Sequence, residues 1–174
     1  MKITIVNGSP RKGNTVTAIN AFVKGLDSSH EVEIINVDTA NISPCKGCNA
    51  CECYKGCVAK DDSNAIIDKL VAADMIVFAS PVYWWGITAQ IKTVIDKCYC
   101  KGAYLKNKKV GLIIIGGASI DNEQYNLIKS QFDCIAHYLE WDILFYNKYS
   151  ATAADELAAD ASALSQLTAQ AEEL

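Results

Sequence analysis

Apolar and polar residues follow two different periods along this chain, and the two periods alternate. Short apolar runs rich in β-branched residues are typical of strands that are buried on both faces. Longer segments with apolar residues three or four positions apart are typical of helices. The pattern predicts strands over Lys2–Asn7, Glu31–Val37, Met75–Ala79, Val110–Ile115 and Trp141–Tyr146. It predicts helices over Thr15–Leu26, Asp62–Ala73 (capped by Asp62), Thr88–Cys98, Glu123–Leu139 and Asp155–Glu173.

Five strands that alternate with five helices predict an α/β fold in three layers, with helices on both faces of a five-stranded parallel sheet. The common strand order for such a sheet is 2-1-3-4-5, and ligands bind outside its carboxyl edge, where the order reverses. The length of 174 residues favours a single domain over residues 1–174. All three prolines, Pro10, Pro44 and Pro81, follow one of the first three strands, so we expect the irregular chemistry at this edge.

Composition and charge exclude several classes of protein. A hydrophobic fraction of 51% with 21% charged residues indicates a globular chain with a core rather than a disordered one. The 16 basic residues, of which only Arg11 is arginine, are outnumbered by 20 acidic ones, which argues against binding to nucleic acid or a membrane surface. No signal-peptide core and no apolar run of roughly 18 residues is present. We therefore expect a cytoplasmic protein whose cysteines form no disulfide framework.

The first predicted strand opens into a helix through Gly8–Thr15, with the sequence GSPRKGNT. Glycines and small hydroxyl residues at a helix start allow backbone N–H groups and the helix dipole to surround an anion. Asn14 stands where the nucleoside-triphosphate loop requires lysine, which disfavours a kinase or ATPase. Arg11 lies upstream of every cysteine, which excludes a cysteine-phosphatase loop. Two interpretations stay open: a site for a single phosphate monoester, and an ordinary connection between strand and helix.

Two further loops at the same predicted edge are unusual. Ser80–Gly86, with the sequence SPVYWWG, holds two of the three tryptophans of the chain. Aromatic side chains on a loop are costly to expose unless they stack on a flat ligand, pack on another loop or lie at a subunit interface. Gly116 and Gly117 follow the fourth strand, where the lack of side chains lets the backbone approach a ligand closely.

Five of the eight cysteines fall within residues 45–57. Cys45, Cys48, Cys51 and Cys57 give the spacing C-x2-C-x2-C-x5-C, and Cys53 is then the spare thiol. In a reducing compartment such a density indicates metal or redox chemistry rather than packing. An iron-sulfur cluster, a tetrahedral zinc ion and a segment without metal all remain open. The other three cysteines are expected to pack as small buried hydrophobes: Cys98, Cys100 and Cys134.

These segments together resemble one known family. Gly8–Thr15, Ser80–Trp84 and the CVAKDD segment Cys57–Asp62 are similar to the flavodoxin-like NAD(P)H-dependent FMN reductases, in particular to their iron-sulfur flavoprotein branch. The resemblance covers nearly the whole chain. It implies a flavodoxin-like fold, non-covalently bound FMN, NAD(P)H as co-substrate, and a homodimer or homotetramer.

The resemblance also implies roles for individual residues. It assigns the FMN phosphate to Ser9, Arg11, Asn14 and Thr15. It assigns the isoalloxazine ring to Pro81, Val82, Tyr83 and Trp84 on one side and to Gly116 and Gly117 on the other. The ligands of a [4Fe-4S] cluster fall on Cys45, Cys48, Cys51 and Cys57.

We therefore expect an FMN-dependent oxidoreductase that takes hydride from NAD(P)H. Its electrons would pass to a flavin, a quinone, a nitro or azo compound, or a one-electron protein partner. The flavin carries this chemistry, so no catalytic side chain is assigned. The alternatives are an iron-sulfur flavoprotein that carries electrons with little turnover of its own and, more distantly, a cysteine-based redox or metal sensor.

Overall fold

A computed structural model describes all residues, 1–174, and its core is one sheet with helices on both faces. The strands are β1 (Lys2–Asn7), β2 (Glu31–Asn36), β3 (Met75–Tyr83), β4 (Gly86–Ile87), β5 (Lys109–Gly116) and β6 (Asp142–Ser150). The helices are α1 (Asn14–Gly25), α2 (Ser63–Ala72), α3 (Ala89–Cys98), α4 (Glu123–Leu139), α5 (Glu156–Ala159) and α6 (Ala161–Glu172). Short 3-10 helices cover Val37–Thr39 and Tyr99–Tyr104.

The five long strands are parallel and lie in the order β2-β1-β3-β5-β6. Numbered along the chain, this is the predicted order 2-1-3-4-5, so the predicted fold class is confirmed. Asn7, the last residue of β1, lies opposite Asn36 on β2 and Ala79 on β3. The loops that follow β1, β2 and β3 therefore leave the same edge of the sheet side by side.

The sequence pattern misses a hairpin at the end of β3. This strand continues beyond Ala79, and its last two residues pair with the antiparallel strand β4. Trp84 and Trp85 form the turn, with left-handed φ angles of 48° and 64°. A two-residue turn with positive φ at both positions is typically filled by Asn-Gly. The two tryptophans carry no such turn signal. The sequence therefore predicts a loop where the structure has a hairpin.

Two predicted helices differ from the structure at their N-terminal ends. Asp62 occupies the N-cap position of α2, as predicted, but its carboxylate accepts the backbone N–H of Asn41 and does not cap the helix. Asp61 accepts the N–H of Ser63 at the helix start instead. The predicted last helix begins as the single turn α5, and Asp160 then caps the longer α6 by accepting the N–H of Ala163.

Side chains of β3 alternate between two hydrophobic clusters, one on each face of the sheet. Ile76 and Phe78 join the cluster under α2, α3 and α4, whereas Met75, Val77 and Ala79 join the cluster under α1 and α6. A strand that is apolar on both faces is what a sheet covered on both sides requires. Packing on both faces of the sheet therefore fixes the position of β3, and with it the position of its C-terminal end.

Helix α3 begins in direct contact with the loop that follows β1. The Thr88 hydroxyl donates to the carbonyl of Gly8 (3.0 Å) and accepts the N–H of Ile91 (3.3 Å), so it caps the helix while holding the loop. The Thr88 N–H donates to the buried Ser80 hydroxyl at 3.0 Å. A Cβ on Gly8 would lie 2.3 Å from Ile91 Cγ1, so only glycine permits this approach.

Gly8→Ala is therefore expected to lower the free energy of unfolding by about 1–3 kcal/mol, the usual cost of overpacking a tight contact. Chemical denaturation of the ligand-free protein measures this change. Gly86→Ala is the matched control, because the nearest atom to its added Cβ is 4.0 Å away. Equal losses for the two variants would contradict the proposed close approach of α3.

Candidate functional site

The start of α1 presents backbone donors that have no partner. Gly13 occupies the N-cap position and no side chain caps the helix. The backbone N–H groups of residues 12–15 make no hydrogen bond within the chain. These groups lie at the positive end of the helix dipole and can bind an anion.

Ser9 and Arg11 shape the turn in front of these donors. The Ser9 hydroxyl donates to the Arg11 carbonyl at 2.8 Å and accepts the Arg11 N–H at 3.2 Å. The Ser9 N–H donates to Asn7 Oδ1 at 3.0 Å, which ties the turn to the end of β1. The Arg11 side chain is exposed and forms no salt bridge, so its guanidinium is available for a phosphate.

Asn14 and Thr15 differ in what they can offer a ligand. The Asn14 amide group donates to the carbonyl of Ala153 (2.8 Å), and its oxygen accepts the N–H of Leu157 (3.0 Å). The Asn14 side chain therefore connects the start of α1 to the segment after β6. Only its backbone N–H remains for an anion. Thr15 is buried, and its hydroxyl makes no hydrogen bond within the chain.

A cavity of about 280 Å³ lies between this turn, the ends of β3 and β5, and the segment after β6. We call it the flavin-type cavity, after the ligand that the sequence predicts for it. It contains all but two of the residues that the sequence assigns to FMN. Those that line it are Ser9, Arg11, Asn14, Thr15, Pro81, Val82, Tyr83 and Gly117. An anion-binding end and an apolar wall thus meet in one cavity, which fits a phosphorylated flavin.

The two exceptions, Trp84 and Gly116, lie outside this cavity. Trp84 is 91% exposed at the hairpin tip and contacts Trp85 edge-on, with ring centroids 5.4 Å apart. A Cβ on Gly116 would lie 2.4 Å from Gln124 Nε2 and 2.7 Å from the Tyr125 hydroxyl. The absence of a side chain at Gly116 therefore serves the packing of α4 against β5.

Residues 151–154 line the cavity, although nothing in this alanine-rich segment indicates a binding role. The Thr152 hydroxyl donates to the carbonyl of Gly117 at 3.1 Å. Glu156 accepts the N–H groups of Ala153 and Thr152, and these hydrogen bonds hold the pKa of Glu156 below its usual range. The segment is thereby fixed as a wall of the cavity rather than as the start of a helix.

The four cysteines predicted as metal ligands line a second cavity, of about 570 Å³, between residues 43–59 and the end of α3. We call it the cysteine cavity. Cys100 also lines it, which the sequence did not indicate, and burial raises the pKa of this thiol to about 11. Cys53 lies instead in a separate apolar groove. The eight cysteines are all free thiols, as expected.

Cys57 is the most firmly held thiol of the cysteine cavity. Asn64 accepts its backbone N–H and donates to its carbonyl, both at 2.8 Å. The Lys97 ammonium donates to its sulfur at 3.3 Å. Burial acts to raise the pKa of Cys57, but hydrogen bonds from the Ala59 N–H and from Lys97 outweigh it, so the pKa is lowered.

Lys97, which lines this cavity, forms a buried charged pair with Asp61. Their side chains are 8% and 3% exposed, and Lys97 Nζ lies 3.9 Å from Asp61 Oδ2. Asp61 accepts the N–H of Ser43 (3.0 Å), the hydroxyl of Ser43 (2.5 Å) and the N–H of Ser63 (3.0 Å). Burial opposes ionisation, yet these hydrogen bonds hold the pKa of Asp61 well below its usual range.

The thiols surround a space rather than a single point. No three His, Cys, Asp or Glu side chains lie close enough together to bind one metal ion. A tetrahedral zinc site requires its four ligands on the same ion, whereas the four predicted thiols are distributed along the walls of one cavity. In a cubane cluster each thiolate binds a different iron and the sulfur atoms lie farther apart. Four thiols around one cavity therefore fit the donor set of such a cluster.

The three cysteines expected to be buried hydrophobes do not all behave alike. Cys98 and Cys100 are buried, as predicted. The prediction is wrong for Cys134, which is exposed. It lies on the outer face of α4 together with Tyr138, one helical turn further along, so the helix turns both side chains away from the core.

Helix α3 connects the two cavities. Its capping residue Thr88 contacts Gly8 beside the flavin-type cavity. At the other end, Lys97 and, just after the helix, Cys100 line the cysteine cavity. Lys97 lies nine positions after Thr88, which is about 13.5 Å along the helix axis at 1.5 Å per residue. None of the helices is long and apolar enough to span a bilayer.

Comparison with known proteins agrees with this geometry. The model of the family described as NADPH-dependent FMN reductase matches residues 1–136. The chain belongs to this family. Membership makes it an oxidoreductase that uses FMN with NAD(P)H, and it confirms the resemblance seen in the sequence.

Its similar relatives include iron-sulfur flavoproteins. One from Methanosarcina thermophila is 36% identical over 138 residues, which cover 76% of this chain and 72% of that protein. One from Archaeoglobus fulgidus is 34% identical over 130 residues, covering 72% of this chain and 64% of that protein. A further Archaeoglobus relative, 37% identical, is matched over 66% of this chain and 54% of its own length. The chain thus spans between about half and three quarters of these relatives.

Solved structures support the fold. Smu.1420 from Streptococcus mutans has a TM-score of 0.75 at 16% identity, with both chains fully covered. The NADH:FMN oxidoreductase EMOB has a TM-score of 0.70 at 18% identity, covering 99% of this chain and 87% of that one. At such identities the likeness concerns the fold alone.

Arg11→Ala is expected to weaken FMN binding by about 1.5 kcal/mol, roughly tenfold, because a charge-assisted contact to the phosphate is lost from an exposed position. Riboflavin lacks the phosphate and should bind the variant and the wild type equally. Lys24→Ala, in the last turn of α1, is the charge-matched control. Equal losses for FMN and riboflavin in a binding titration would show that Arg11 does not contact the phosphate.

Tyr83→Ala is expected to raise the fluorescence of bound FMN, because Tyr83 lines the cavity and an aromatic neighbour quenches a stacked flavin. Trp84→Ala should leave the fluorescence unchanged, since its side chain points away at the hairpin tip. Emission spectra of the two FMN-loaded variants make the comparison. A response of Trp84→Ala alone would restore the sequence-based assignment of Trp84 to the ring.

Proposed function

We propose that this protein is an iron-sulfur flavoprotein that takes electrons from NAD(P)H onto FMN and delivers them to a one-electron partner. The observation that carries the proposal is the cysteine cavity, which gathers Cys45, Cys48, Cys51 and Cys57 at the far end of α3 from the flavin-type cavity. The names of its relatives from Methanosarcina and Archaeoglobus support the cluster independently.

Bound FMN would supply the chemistry, because a flavin accepts two electrons as hydride and releases them singly. The residues of the chain bind and orient it. The free N–H groups of residues 12–15, with Arg11 and the Thr15 hydroxyl, would bind the phosphate. Pro81, Val82, Tyr83 and Gly117 would enclose the ring and limit the access of water. Gly116 would support these walls from outside, because its lack of a side chain lets α4 pack closely against β5.

The donor set of the cysteine cavity supports a cluster over an ordinary packing role. Five thiols line this one cavity, the four predicted ligands and Cys100, which is more than packing requires. Two of the predicted ligands, Cys45 and Cys48, are exposed. Exposed thiols are vulnerable to oxidation unless they are bound. A reducing cytoplasm, the compartment we propose, would keep the remaining cysteines as thiols.

A homodimer or homotetramer is part of the proposal. Trp84 and Trp85 form an exposed aromatic tip next to the flavin-type cavity, and covering it with a second copy would remove apolar surface from water. A protein or small-molecule electron acceptor would then approach from the side left open.

Anaerobic reconstitution with iron and sulfide, followed by analysis of iron, sulfide and FMN, tests the proposal. The wild type should bind both FMN and a cluster, and NAD(P)H should bleach the visible absorption of both. Cys48→Ser should bind FMN but no cluster. Cys53→Ser is the matched control and should behave like the wild type, because Cys53 lies outside the cysteine cavity.

Other outcomes favour the alternatives. Full FMN binding without iron would make the protein an FMN reductase in which the cysteine segment only shapes a loop. A bound cluster with negligible oxidation of NAD(P)H would favour an electron carrier that is reduced by another protein. Failure to bind FMN would leave a cysteine-based sensor.

A further inference from the structure

Lys97 is a buried lysine for which the flavin chemistry provides no role. It lies near the end of α3, where its side chain is 3% exposed and lines the cysteine cavity. Lysine is almost never fully buried unless it is paired, because removing an ammonium group from water is costly. A compensating negative charge must therefore lie within reach of Nζ.

The acidic groups around Lys97 do not fully provide this compensation. Asp61 Oδ2 is 3.9 Å away and already accepts two hydrogen bonds from Ser43. Asp96, the preceding residue, pairs with the exposed Lys92 at 2.6 Å. The only hydrogen bond of Lys97 Nζ is to the Cys57 sulfur. An ammonium group with three donors thus has one recorded acceptor, and that acceptor is a cysteine.

We infer that Lys97 is the charge-compensating residue of the proposed cluster and raises its reduction potential through the hydrogen bond to Cys57. The inference rests on the proposed function, since it requires a cluster in the cysteine cavity. Thiolate ligands bring negative charge into the cavity, and one-electron reduction of a cluster adds another. A fixed cation next to a ligand sulfur stabilises the reduced state more than the oxidised one.

A purely structural role makes a different prediction. If Lys97 served only to neutralise Asp61, its ammonium group would be expected at hydrogen-bond distance from that carboxylate. The structure has it nearer to the sulfur, at 3.3 Å, than to the carboxylate, at 3.9 Å. Asn64 separately fixes the backbone of Cys57, so Lys97 is not needed to hold this residue in place.

The test is a spectroscopic redox titration of the reconstituted protein with FMN and cluster bound. In Lys97→Met and Lys97→Gln, the equilibrium constant for one-electron reduction of the cluster should fall tenfold or more, a shift of about 59 mV or more to negative potential. Lys97→Arg keeps the charge and should stay close to the wild type. Lys24→Met removes an exposed lysine in the last turn of α1, on the other face of the sheet, and should leave the potential unchanged.

The outcomes separate this inference from the proposed function. If the wild type binds FMN but no iron, the proposed cluster is wrong and the role of Lys97 falls with it. If the wild type holds a cluster whose potential is the same in Lys97→Met and Lys97→Gln, the inference is overturned while the cluster stands. A matching shift of the flavin potential in these variants would also overturn it, because the effect would then be global.

Loss of the cluster from the neutral variants has a defined meaning as well. If Lys97→Met and Lys97→Gln bind FMN but no cluster, Lys97→Arg decides the matter. Retention of the cluster in Lys97→Arg, at a potential close to that of the wild type, supports a requirement for charge. Loss in the arginine variant too would assign Lys97 to packing and overturn the inference.

Discussion

The hydroxyl of Thr88 joins three parts of this molecule that must meet if it is to bind a flavin. It holds the carbonyl of Gly8, directly after β1, and caps α3, while the N–H of the same residue holds Ser80 within β3. All of these groups are buried, so the hydrogen bonds do not compete with water. The direction in which α3 leaves the sheet is therefore set at the flavin-type cavity, and the position of everything at its far end follows from it.

The cysteine segment is built differently from the rest of the chain. It has no strand or long helix, and positive φ angles occur at Gly47, Asn49, Glu52, Cys53 and Gly56. Its shape comes from contacts with ordered neighbours. The Gly56 N–H donates to the carbonyl of Cys100, and the Ala103 N–H donates to that of Cys53. An irregular segment fixed in this way can hold several thiols around one space, which a regular helix or strand could not do.

The sequence predicts those parts of the structure that depend on local patterns. Apolar runs such as Met75–Ala79 predict the strands, and the order follows from the common arrangement of a five-stranded parallel sheet. The small residues after β1 predict the anion-binding turn. Trp84 could not be placed, because its direction depends on two left-handed residues that only the hairpin imposes. Residues 151–154 carry no chemical signal of their own and become a wall through contacts with Gly117 and Glu156. The burial of Lys97 depends on the cysteine segment, residues 43–59, which is distant in the sequence and lies over the end of α3.

A helix that begins at one cavity and ends at another constrains evolution in a way that a loop does not. One residue inserted into α3 would advance its end by about 1.5 Å and rotate it by about 100°. Lys97 and Cys100 would then face the sheet or the solvent instead of the thiols. Exposed loops away from the two cavities can change length with little effect, whereas the number of residues between Thr88 and Lys97 cannot. Any change in the length of α3 would therefore alter the geometry between the two cavities.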